Sequence, residues 1–173
     1  MRRARMTVAG AVAGAVLSLL GTGAAFAGTG PAPTTQERSA GTEGTEAGNP
    51  ASAVATAAGV CSDAYQIGET AYIYRGTEKI ASVKQFYSPD CDENYGYTWV
   101  WKSFLDKNIN FNLTTGVWSY DRDSLVGKRL VLNTHSQEFW SNAAETVDEC
   151  TSGYGQIAII DEPSNEVRTE KRC

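Results

Sequence analysis

Two short stretches carry residues of the types and spacing that chemistry requires. Asp90, Asp92 and Asn94 have the D-x-D-x-N spacing that opens an EF-hand calcium loop. Such a loop needs glycine at its sixth position and a bidentate glutamate at its twelfth, and this chain has Tyr95 and Trp101 there. The stretch therefore reads as a polar turn between strands, and Asp121 and Asp123 in Ser-Tyr-Asp-Arg-Asp-Ser read the same way. His135, the only histidine, is followed by Ser136. Adjacency does not make a serine a nucleophile; a Ser-His-Asp site is a matter of geometry and can come from any chain order. Among the acids no pair is singled out for glycosidase chemistry. The sequence assigns no catalytic residue, no metal ligand and no cofactor.

Cys61, Cys91, Cys150 and Cys173 are the only cysteines. An even count in an exported chain predicts two disulfides, whereas a zinc site would want a C-x-x-C pair or more than one histidine. Of the three possible connectivities the expected one is Cys61–Cys91 with Cys150–Cys173, the other two staying open. Each closed loop would contribute about 3 to 4 kcal/mol in the chain-entropy picture.

Export is itself expected from the N-terminus. Three arginines in Met-Arg-Arg-Ala-Arg precede an apolar run that ends in Ala25-Phe26-Ala27, the layout of a signal peptide spanning residues 1–27. The run is diluted by alanine and glycine and has no basic stop-transfer flank, which argues against a membrane anchor. Residues 28–58 hold no aromatic and almost no large aliphatic side chain, so a disordered Gly/Thr/Pro/Ala linker is expected. Residues 59–173 are then one disulfide-stabilised domain, and they contain all four tryptophans and all eight tyrosines. That domain carries 11 basic against 17 acidic residues, a net of −6, with no basic cluster. Nucleic acid and anionic membranes, which need a basic footprint, are excluded as partners.

The elements that must position these residues read as strands. Asn-Ile-Asn-Phe-Asn-Leu-Thr, 108–114, alternates strictly, with Ile109, Phe111 and Leu113 on one face. Residues 70–75 and 80–88 flank Gly76-Thr77-Glu78-Lys79 as a hairpin. Residues 97–104, 116–120, 128–133 and 156–160 complete a set of short, punctuated strands. Glu138 to Cys150, with Phe139, Ala143 and Val147 four apart, is the one candidate for a short helix. The expected class is all-β, a small antiparallel barrel or sandwich with two disulfides.

Two motifs resemble the YjfA family, small secreted proteins of Gram-positive bacteria that carry a domain of unknown function. The first is Cys61-Ser62-Asp63-Ala64; the second is Tyr87-Ser88-Pro89-Asp90-Cys91 followed by Trp99-Val100-Trp101. The family's late cysteine pair corresponds to Cys150 and Cys173. This chain departs from the family at Phe86, where arginine is usual, in the longer gap between Cys91 and Trp99, and at Trp101, where a basic residue is usual. The resemblance implies no activity. It does imply that Trp99, at the family's tryptophan position, belongs to the core, and that Trp101 is partly exposed.

Tyr97, Trp99 and Trp101 share one strand face by the period of two, as either core or a stacking surface. Tyr97, Trp101 and Trp118 are the candidate binding surface. The expected function is that of a secreted, non-enzymatic, monomeric β domain that binds an extracellular protein or a cell-wall polysaccharide. An inhibitor of an extracellular hydrolase is the alternative, favoured by an exposed rigid loop at Asp92 to Gly96. A small hydrolase is the third, and it needs a cleft joining His135 to a serine or an acid.

Overall fold

The computed structural model describes residues 41–173; the expected signal peptide and residues 28–40 lie outside them. The described chain folds as an antiparallel β-sandwich. Strands β1 (Tyr65–Arg75), β2 (Glu78–Ser88), β3 (Glu93–Val100), β4 (Phe111–Ser119), β5 (Ser124–Thr134), β6 (Glu138–Trp140), β7 (Thr151–Ala158) and β8 (Asn165–Arg168) form two four-stranded sheets. The first runs β1-β2-β3-β6 and the second β5-β4-β7-β8. Gly76, at φ +61°, makes the tight β1–β2 connection that a side chain would disfavour, and Arg75 pairs with Glu78 across it. Two short helices, α1 (Ala53–Ala57) and α2 (Lys102–Leu105), complete the fold.

The strict alternation at 108–114 does what the period of two demands. Phe111 and Leu113 of β4 turn inward against Val83, Val100 and Ile157, and that cluster fills one end of the sandwich. The other end is closed by backbone rather than by side chains. A Cβ on Gly96 of β3 would stand 2.1 Å from the carbonyl oxygen of Gly116 in β4, and one on Gly153 would stand 2.6 Å from the carbonyl of Lys84. The two sheets therefore touch there far inside the usual separation of about 10 Å. Two buried hydrogen bonds cross the contact: Thr98 Oγ1 donates to Thr115 Oγ1 at 3.2 Å and Gln85 Nε2 to Thr151 Oγ1 at 2.8 Å.

Both expected disulfides are present, Cys61–Cys91 and Cys150–Cys173, and no cysteine is free. The first ties the entry of β1 to the β2–β3 turn. The second ties the last residue to the start of β7, where Thr151 and Arg172 also exchange backbone hydrogen bonds at 2.7 and 2.9 Å.

Two expectations are corrected. Residues 41–58 are not a free linker: they form a strap across the outer face of the first sheet, with Ala55 of α1 fully buried against Phe86, Tyr95, Tyr97 and Trp140. Composition misled because the apolar area is supplied by the sheet, while the strap contributes polar contacts. Lys84 Nζ meets Glu46 at 3.1 Å, Tyr97 donates its hydroxyl to the Thr45 carbonyl at 2.5 Å, and Ser52 donates to Glu138 at 2.6 Å. Gly48, at φ +88°, lies so close on the Phe86 ring that a Cβ would stand 2.3 Å from it. The second correction concerns 138–150, which is not helical. Phe139 and Trp140 of β6 go to opposite faces of the sheet, one into each buried cluster, and Ala143 is exposed. The four-residue spacing there was coincidental.

Candidate functional site

A sheet covered on both faces buries its residues continuously, and this decides the fate of the aromatic row. Tyr97 is fully buried between strap and sheet, so it is not a surface residue. Its ring lies 4.5 Å from that of Trp140, and burial, with Glu138 and Glu46 nearby, holds its hydroxyl far above the usual tyrosine range. Trp99 and Trp101 are both half-buried, so the expected contrast between them is not seen. The strand ends at Val100, and Trp101 becomes the residue before α2, its indole N–H closed off from solvent with no acceptor. Trp118 sits on the outer face of the second sheet, but the Arg168 guanidinium covers its ring at 3.6 Å. Neither Trp101 nor Trp118 presents a bare ring in a cleft.

Trp99 does line a cleft. β5 and β6 are the edge strands of the two sheets on one side of the sandwich, and they are not hydrogen-bonded to each other. One end of the seam between them is closed where Asn142 donates its backbone N–H to the Gly127 carbonyl at 2.9 Å and its side-chain amide to the Lys128 carbonyl at 3.0 Å. Beyond that closure the seam opens into a cleft of about 480 Å³. Trp99 and Phe139 supply its apolar surface, Arg129 and Val131 of β5 one wall, and Glu43, Gly44 and Val54 of the strap another. Ser136, Gln137, Glu138 and Trp140 complete it.

The polar groups of this cleft differ in how they are held. Glu138 is nine-tenths buried; its Oε1 accepts from Ser52 Oγ at 2.6 Å and from the Trp140 indole N–H at 2.8 Å. Gly44 lies directly over the other oxygen, where a Cβ would stand 2.2 Å from Oε2. Among the described residues, neither the Arg129 guanidinium nor the Glu43 carboxylate has a hydrogen-bond or ion-pair partner. The cleft thus presents an indole, a fixed carboxylate, and one cation and one anion that do not neutralise each other. Such a set binds polar ligands that have an apolar face.

A second cleft, of about 440 Å³, lies beside the first disulfide and is acidic. Asp92, Glu93, Glu145, Asp148 and Glu149 surround Arg122, which donates to Glu149 at 2.7 Å. Burial first, then Glu145 and Asp92, raise the Glu93 carboxyl above its ordinary range. The D-x-D-x-N triplet does not converge on an ion: Asn94 is fully buried in β3, bonded to Gln85 and Thr146, while Asp92 is exposed in the turn at φ 55°. His135 and Ser136 are exposed on the β5–β6 connection, and His135 lines neither cleft.

Arg129, Glu43 and Glu138 were missed at the level of sequence. They come from three segments far apart in the chain, and no local spacing marks them. Comparison of the chain with protein-family models, with curated proteins and with solved structures finds no match. Among the described residues no helix is long and apolar enough to cross a membrane.

Proposed function

We propose that this protein is a secreted, non-enzymatic domain that binds a cell-wall polysaccharide in the cleft between β5 and β6. The observation that carries the reading is the half-buried Trp99 beside the unpartnered Arg129 and Glu43. An indole stacks on the apolar face of a pyranose, and flanking charged groups exchange hydrogen bonds with its hydroxyls. Export is supported by the two disulfides, which persist in oxidising compartments, and by the signal-like N-terminus. An inhibitor would need an exposed rigid loop at Asp92 to Gly96, but Asn94, Tyr95 and Gly96 are buried in β3. A small hydrolase would need His135 in a cleft, and it stands outside both.

The test is retention of the protein on insoluble purified wall polysaccharide, compared with Trp99→Ala. Retention lost in the variant, at an unchanged circular dichroism spectrum, supports the reading. Equal retention of both proteins, or none by the wild type, overturns it.

A further inference from the structure

Within that reading, on which this step rests, we infer that the cleft selects an amine-bearing sugar: a pyranose whose free ammonium group is held by Glu138 and Glu43 while its ring lies on Trp99. The charge inventory leads there. Two carboxylates line the cleft against one guanidinium. Glu138 is buried to nine-tenths, yet both of its hydrogen-bond donors, the Ser52 hydroxyl and the Trp140 indole N–H, are neutral. Both fall on Oε1, and Oε2 has no hydrogen bond.

A carboxylate withdrawn from water without a cation is unfavourable unless a positive group arrives. Elsewhere on the strap the protein supplies that cation itself, as Lys84 does for Glu46. At Glu138 it does not. Arg129 is in the same cleft but makes no ion pair with either acid. A ligand ammonium is the group that completes this site, with three donors to share between Glu138 and Glu43 and a cation's attraction to the indole face of Trp99. Arg129, a donor only, is left for ring or hydroxyl oxygens. Acetylating the amine removes the positive charge and adds bulk where Gly44 already crowds the carboxylate.

The experiment is calorimetric titration of the purified protein with three β-1,4-linked tetramers: glucosamine, N-acetylglucosamine and glucose. The glucosamine tetramer should bind at least about tenfold more tightly than either other, and its advantage should shrink with added salt and as pH rises through the ionisation of its amine. Glu43→Gln, at the exposed rim, should remove most of that preference while leaving the melting temperature unchanged. Equal affinity for all three tetramers, or preference for the acetylated one, overturns the amine assignment and leaves the glycan reading standing. Binding of none of them overturns both.

Discussion

Replacing Gly96 with alanine tests the most unusual contact in the sandwich. The new methyl would sit 2.1 Å from the Gly116 carbonyl oxygen, 2.6 Å from its carbon and 2.9 Å from its nitrogen. Ordinary contact begins near 3.4 Å, so the shortfall is 3.4 less 2.1, or 1.3 Å. No side chain can rotate away, because the obstacle is main chain. Gly96 is paired to Gln85 of β2 and Gly116 to Tyr154 of β7, so relief requires one sheet to move off the other. A gap approaching 1 Å forfeits roughly a quarter to a half of the dispersion energy of every contact it opens. It would also stretch the Thr98–Thr115 hydrogen bond beyond use. Overpacking a core usually costs about 1 to 3 kcal/mol. With backbone on both sides the expectation is the top of that range or above, about 3 kcal/mol. Removing a glycine would by itself gain about 0.4 to 1 kcal/mol through the unfolded chain, so the steric effect wins. Gly41→Ala is the control, since its nearest neighbour would be 3.9 Å away. Urea melts decide the matter: a Gly96→Ala unfolding free energy within about 0.5 kcal/mol of the control's would show that the sheets are not in backbone contact there.

Three further outcomes are expected. Converting Cys61 and Cys91 to serine, or Cys150 and Cys173, should cost about 3.5 kcal/mol per pair, from loops of 30 and 23 residues, read from guanidinium melts. Truncation of the chain at Ala58 should uncover Phe86, Tyr97 and Trp140, raise binding of an apolar dye and cost several kcal/mol, since each large side chain re-exposed loses about 1.5 to 3 kcal/mol. Alkaline pH should unfold the protein: burial raises Tyr97, Tyr154, Tyr95, Tyr65 and Tyr87 above their unfolded value of 10.0, so the stability they contribute is whole below pH 10 and is lost as pH rises beyond it. Tyrosinate absorbance rising smoothly at pH 10 for all eight residues, with no change in fold, would contradict that.

The elements written in local pattern were legible, and those written in contacts between distant segments were not. β4 announces itself because Phe111 and Leu113 alternate with amides and one face alone is apolar. β3 is less clear, because a sheet roofed on both sides needs no alternation, and Tyr95, Tyr97, Thr98 and Val100 are all buried. The period of two therefore leaves Tyr97 open between core and stacking surface, and it is the strap that buries it. The strap could not be read from composition, which counts the apolar area of its own side chains and not that of Phe86 beneath Gly48. Trp101 shares a face with Trp99 only while the strand lasts, and the strand ends one residue too soon. The cleft was the least legible, because Glu43, Trp99, Arg129 and Glu138 meet only once the strap is docked and the two edges stand apart.

The strap illustrates which force holds and which one aims. Its contact with the aromatic cluster supplies the favourable area, but an apolar surface alone would not choose where along the sheet the strap lies. The polar contacts choose. Lys84 has a side chain only 5% exposed and reaches Glu46 and the Thr70 hydroxyl, at 3.1 and 2.8 Å. Against a hydrophobic replacement such an ion pair gains little, because desolvation offsets most of the attraction. Any shift of the strap, however, would leave Lys84 buried without its anion, which costs about 3 to 5 kcal/mol. The same holds for Glu138 and Ser52, and for the Tyr97 hydroxyl on the Thr45 carbonyl. Three separate penalties thus fix one register, and that register brings Glu43 and Gly44 to the mouth of the cleft.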